Sequence, residues 1–151
     1  MSEDVVAGAG SDRQLRFSIR LVVRHPTMDP MLITKELGLT PHLSHFAGAE
    51  RMTPANTKLP GKYRESIWGW AQHLEGKRAF FDNVSELAIR LRKHQDFIAG
   101  LMAGGGSIVM IVDLPGDVNI GSVLSSVNIK RLADLGVDLG IEVFPEWSNI
   151  D

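Results

Sequence analysis

From Leu15 to Arg24 the chain alternates without a break: Leu15, Phe17, Ile19, Leu21 and Val23 occupy one set of positions, and Arg16, Ser18, Arg20, Val22 and Arg24 the other. A period of two with β-branched residues specifies a half-buried strand, because successive side chains of a strand point to opposite faces. Three arginines on one face require that side of the sheet to meet water. The rest of the chain has to be arranged around a sheet covered on one side only.

His25-Pro26 ends this strand, since proline has no ladder donor. Asp29 before Pro30 is an N-cap followed by a favoured first helical residue; Met31–Leu37 form a short helix, and Gly38 supplies the left-handed exit. Residues 42–62 carry Gly48, Pro54, Pro60 and Gly61 and read as a loop-rich stretch with one short strand near Leu43–Ala47. Arg64–His73 reads as a strand with Ser66, Trp68 and Trp70 on one face. Asp82 or Asn83 caps a longer helix whose stripe is Val84, Leu87, Ala88, Leu91, Ile98, Leu101 and Met102. Gly104-Gly105-Gly106 stops that helix, and Ser107–Leu114 form a strand apolar on both faces, hence central. A short strand over Asn119–Leu124 and a helix over Val127–Leu135 follow, the helix with Ile129, Leu132 and Ala133 inward. A last strand covers Asp138–Phe144 with Leu139, Ile141 and Val143 inward.

The order β-α-β-β-α-β-β-α-β describes an α+β protein: a mostly antiparallel sheet with helices packed on one face, its first six elements in ferredoxin-like order. The chain has 151 residues, enough for one domain with a core of ordinary size. Residues 1–13 read as a flexible tail and 14–151 as the single folded unit.

Composition narrows the function classes. A net charge of −2 lacks the positive field that carries non-specific nucleic-acid binding, so nucleic acid is not the expected partner. Cysteine is absent, which removes disulfide scaffolds, thiolate metal sites and cysteine nucleophiles together and suits a reducing compartment. The start Met1-Ser2-Glu3-Asp4 is acidic where a signal peptide is basic, and no apolar run reaches the roughly 18 residues of a membrane helix. The expected location is the cytoplasm.

No motif specifies a reaction. The triple glycine follows a helix and precedes a strand, the reverse of phosphate-binding loops, and no Gly-Lys-Ser/Thr accompanies it. His42 and His45 form an H-x-x-H, a weak metal candidate that lacks a third ligand in sequence. Ser66 has no G-x-S-x-G setting. The arginine stripe has two readings: cross-strand ion pairs with Asp138 and Glu142, if the last strand neighbours the first, or an anion-binding sheet surface with Trp68 and Trp70 for stacking. Whether those tryptophans face the core or the open side is left undecided by periodicity. Polar and aromatic residues concentrate at Arg24, His25, Asp29, Arg51, Tyr63 and Trp68, which are the ligand-binding candidates.

The words Arg24-His25-Pro26, Asp29-Pro30, Ile33-Thr34, Leu37-Gly38-Leu39-Thr40-Pro41, Gly48-x-x-Arg51, Tyr63-Arg64-Glu65-Ser66-Ile67-Trp68 and Leu132-Ala133-x-Leu135-Gly136-Val137-x-Leu139 together resemble the bacterial domain-of-unknown-function family 4279. The resemblance spans Leu15 to Phe144; Ile67 between Ser66 and Trp68 departs from the Tyr-Trp or Ser-Trp pairs expected there. It implies a small bacterial domain with no activity to carry over.

The function expected from these residues is a non-enzymatic binding or protein-interaction module, of the kind bacterial immunity domains represent, with another protein as partner and no cofactor. The competing expectation is a small-ligand binder or enzyme using the Arg24-His25/Arg51/Tyr63/Trp68 surface. An exposed strand edge would also permit a homodimer.

Overall fold

A computed structural model describes residues 16–76 and 79–145. The tail assigned to residues 1–13 lies outside these.

Strand β1 (Arg16–His25) follows the alternation: Phe17, Ile19, Leu21 and Val23 are buried. It is the middle of a five-stranded sheet with the order β2 (Leu43–His45), β5 (Ser66–Glu75), β1, β6 (Ser107–Pro115), β7 (Val137–Phe144). Its neighbours β5 and β6 both run antiparallel to it, as β2 does to β5, while β7 runs parallel to β6. The protein is α+β with a mostly antiparallel sheet. Within β2-β5-β1-β6, which with the helices between them make up the first six elements of the expected order, β5 separates β1 from β2 and β1 separates β5 from β6; β7 extends this antiparallel set by pairing parallel with β6.

Helix α1 (Pro30–Leu37) starts and stops on the residues its sequence marks. Asp29 accepts a hydrogen bond from Met31 N at 2.9 Å, and Gly38 closes the helix at φ 65°. The long helix expected over residues 82–102 is instead two, α2 (Phe80–Arg92) and α3 (Gln95–Ala103), broken at Lys93-His94. Between Leu91 and Phe97 no apolar residue is available to keep the buried stripe continuous, so the chain turns. The start also moves. Ala79 takes the N-cap position without a side-chain bond, because Phe80 is a core anchor whose ring meets Phe17 edge-on at 6.3 Å.

Two further expectations are corrected. Residues 119–124 form no strand; Ile120 and Leu124 pack on the core and Ser122 accepts from Phe81 N at 3.2 Å, covering an otherwise unbonded donor at the start of α2. Residues 50–62 fold into a separate hairpin, β3 (Glu50–Met52) with β4 (Lys58–Lys62). Its turn is closed by Thr53 N to Thr57 O at 2.8 Å and passes through Asn56 at φ 62°, a conformation asparagine tolerates better than most residues.

Helix α4 (Ser126–Leu135), capped by Ser125 and ended by Gly136, buries Leu132 and Leu135. Ile129 and Ala133, both expected inward, are exposed, Ile129 by 52%, since Leu132 and Leu135 already fill the core-facing side. The helices cover the sheet face that carries Phe17, Ile19, Leu21, Val23, Trp68, Met110 and Val112. Each such buried side chain contributes about 1.5–3 kcal/mol of transfer free energy. No helix among the described residues is long and apolar enough to cross a membrane.

Candidate functional site

The structure does not bring the candidate residues together around one opening. Trp68 pairs with Val23 across the sheet, on the helix-covered face; it is fully buried and donates its indole N–H to Thr34 Oγ1 at 2.9 Å. Trp70 lies on the same face, half-buried against the core. Trp68 anchors the core and has no face free for a ligand, and Trp70 packs against that core.

His25 is also buried, 7% exposed. Its Nδ1 accepts from Thr27 N at 3.0 Å and from Met28 N at 2.8 Å, so its lone pair organises the turn into α1 and the ring proton sits on Nε2. The other edge of the ring explains part of the triple glycine. A methyl group on Gly104 would lie 2.6 Å from His25 Nε2, so that position needs glycine for close approach. The helix-stop reading of the sequence is joined here by a packing reason.

The remaining candidates bond to their own surroundings. Asp29 caps α1. Arg24, on the open sheet face, pairs with Glu65 at 2.6 Å. Arg51 reaches the Pro60 carbonyl across the hairpin at 3.4 Å. Tyr63 stacks on His45 with ring centroids 4.1 Å apart, and its hydroxyl accepts from Met52 N at 3.5 Å. His42 covers Gly69. Among the described residues no three His, Asp or Glu side chains are placed to hold a metal ion.

The arginine stripe follows the ion-pair reading: Glu142 is a partner as expected, and Asp113, Glu65 and Glu75 join it. Strand β6 separates β1 from β7, so the two do not neighbour each other. Arg20 bonds Asp113 through Nε at 2.6 Å and Nη2 at 2.9 Å, then reaches over β6 to Glu142 at 2.8 Å. Asp113, 3% exposed, also accepts from Ser18 Oγ at 3.0 Å. The hydrogen bond to Asp113 raises the Arg20 pKa; burial opposes the shift, and the charges of Asp113 and Glu142 reinforce it. Arg16 pairs with Glu75 at 3.4 Å. The Asp113 partner was missed because a lone aspartate in an apolar strand gives no sign of which cation will reach it.

A cleft of about 650 Å³ lies elsewhere, between α3 and α4 at the end of α2. Met102, Ala99, Val127 and Leu135 supply its apolar lining; three cations, Arg92, Lys130 and Arg131, and one acid, Asp134, supply its charge. Lys130 is paired with Asp134 at 2.7 Å and Arg131 bonds Asn128 at 2.6 Å, while Arg92 has no partner among the described residues. Arg90 and Arg92, in the last turn of α2, also complement the negative end of that helix. A second cleft, about 160 Å³ beside Leu87, Arg90 and Lys93, has room for little beyond water. The α3–α4 cleft was hidden from sequence reasoning because α2 and α3 read as one continuous helix. Its lining becomes contiguous only after the break at Lys93-His94.

Comparison with protein-family models, with curated proteins and with solved structures returns no match for this chain.

Proposed function

We propose that this chain is a non-enzymatic binding module that receives an acidic amphipathic helix of a partner protein in the cleft between α3 and α4. One observation carries this reading: an apolar cleft lies beside cations, of which Arg92 has no bonded partner among the described residues, in a molecule whose net charge is −2. Two roughly neighbouring helices present a groove into which a third can lay its apolar face, while acidic residues flanking that face meet Arg92 and Arg131. A drug-sized molecule is bound by burying most of its surface, and a cleft open along one side suits it less well than a helix with one face to cover.

The small-ligand reading built on Arg24, His25, Asp29, Arg51, Tyr63 and Trp68 has less support, because each already has a bonded partner within the chain. The resemblance to family 4279 and the immunity-like role accord with a module of this type, and a cysteine-free chain accords with the cytoplasm.

The test is a fluorescence-anisotropy titration with two synthetic peptides of about 15 residues, long enough to form a helix when bound. Both carry leucine on one helical face; one carries glutamate on the other face and its counterpart lysine. Saturable binding of the acidic peptide, at least about tenfold tighter than the basic one and weakened by salt, is expected. Equal affinity for both, or binding of neither, contradicts the proposal.

A further inference from the structure

We propose that β7 pairs antiparallel with the β7 of a second copy, joining two sheets edge to edge into one continuous sheet. This rests on the strand alone and is independent of the α3–α4 cleft. Among the described residues nothing pairs with the outer side of β7, which ends the sheet. Exposed edges are usually blunted by proline, lysine, a bulge or shortness. Val137–Phe144 has neither proline nor lysine, keeps an unbroken register with β6 over all eight residues, and is long for an edge. The opposite edge differs: β2 has three residues and covers only Ile67–Gly69 of β5.

The helix-side face of β7 is unfinished too. Ile141 and Val143 point to the side that carries the core, in register with Val112 and Leu114, yet remain 50% and 59% exposed. The sequence expectation that they face inward is right about the face and wrong about burial, because the helices stop short of this corner.

The ladder tells which backbone groups are available. Phe144 O accepts from Gly116 N, just beyond β6, so the even-numbered residues of β7 direct their backbone groups at β6. The N–H and C=O groups of Leu139, Ile141 and Val143 therefore point outward. Charge and overlap then select the register: centring on Leu139 also keeps the acids apart but pairs only Val137–Ile141. Centring the pair on Gly140 opposes Asp138 to Glu142 of the second copy twice, and centring it on Glu142 opposes that carboxylate to itself; both are unfavourable. Centring it on Ile141 opposes Ile141 to its own counterpart and Leu139 to Val143, with Glu142 facing Gly140 on the other side. That register opposes no two acids, uses the outward-pointing backbone groups, and places apolar side chains together. It is isologous, so it closes at two copies.

The absence of cysteine in the chain makes the test direct. Sedimentation velocity of the unmodified protein from about 1 to 500 μM should show a reversible dimer, and Ile141→Lys, at an exposed site, should raise its dissociation constant at least about tenfold with an unchanged melting temperature. Directly opposed Cα atoms lie about 5.5 Å apart, within disulfide range. Under mild oxidation Ile141→Cys should therefore give a covalent dimer, and Val143→Cys, which faces Leu139, should not. A monomer throughout the concentration range overturns the proposal. So does cross-linking of Val143→Cys as fast as that of Ile141→Cys.

Discussion

The loops at the β2 end of the sheet and the cleft between α3 and α4 are both rich in cations and apolar side chains, but they differ in what those groups already hold. At the loop end His25 caps a turn, Asp29 caps α1, Arg24 pairs with Glu65, and Arg51 and Tyr63 tie the hairpin together. In the cleft, Lys130 and Arg131 bond within their own helix and Arg92 faces outward beside Met102 and Ala99. A concentration of functional residue types locates a site only if some of their bonding capacity is left over. The loop end uses its capacity to build the fold, whereas the cleft keeps part of its own.

That contrast can be broken or sharpened by substitutions, taken in order of expected effect. Trp68→Ala should cost about 3–5 kcal/mol, read as a lower denaturant midpoint, because it empties a fully buried site and frees Thr34 Oγ1. A folded, stable variant that lost only binding would make Trp68 a ligand contact after all. His25→Ala should cost about 2–3 kcal/mol, since a buried ring is removed and two backbone N–H groups of a partly exposed turn lose their acceptor. Asp29→Ala should cost about 1 kcal/mol, the usual loss for an N-cap, and Asp29→Asn should restore most of it. Arg51→Ala should change stability by no more than about 0.5 kcal/mol, because its bond to Pro60 O is long and exposed.

Much of the fold is legible in the sequence wherever the periodicity is strict or a cap is explicit. The alternation of Phe17 to Arg24, the Asp29-Pro30 start, the Gly38 and Gly136 exits and the apolar run of β6 all correspond to observed elements. The place of the last strand was not legible: β7 pairs with β6 and not with β1, and Arg20 and Glu142 meet only across that strand. The hairpin of residues 50–62 was missed because prolines and glycines punctuate it and only a few residues alternate between them. For the site, residue type was legible and bonding state was not. Nothing local shows that His25 will face a glycine at 104, or that Arg92 will lie beside residues of α4.

The most direct test pairs two double variants in one titration with the acidic helical peptide. Arg92→Glu with Arg131→Glu removes the cations of the cleft, and Arg24→Ala with Arg51→Ala removes those of the loop end. Affinity should fall at least about tenfold for the first pair and stay within about twofold for the second, with both proteins folded. Loss of binding in the loop-end pair while the cleft pair binds normally would contradict the account.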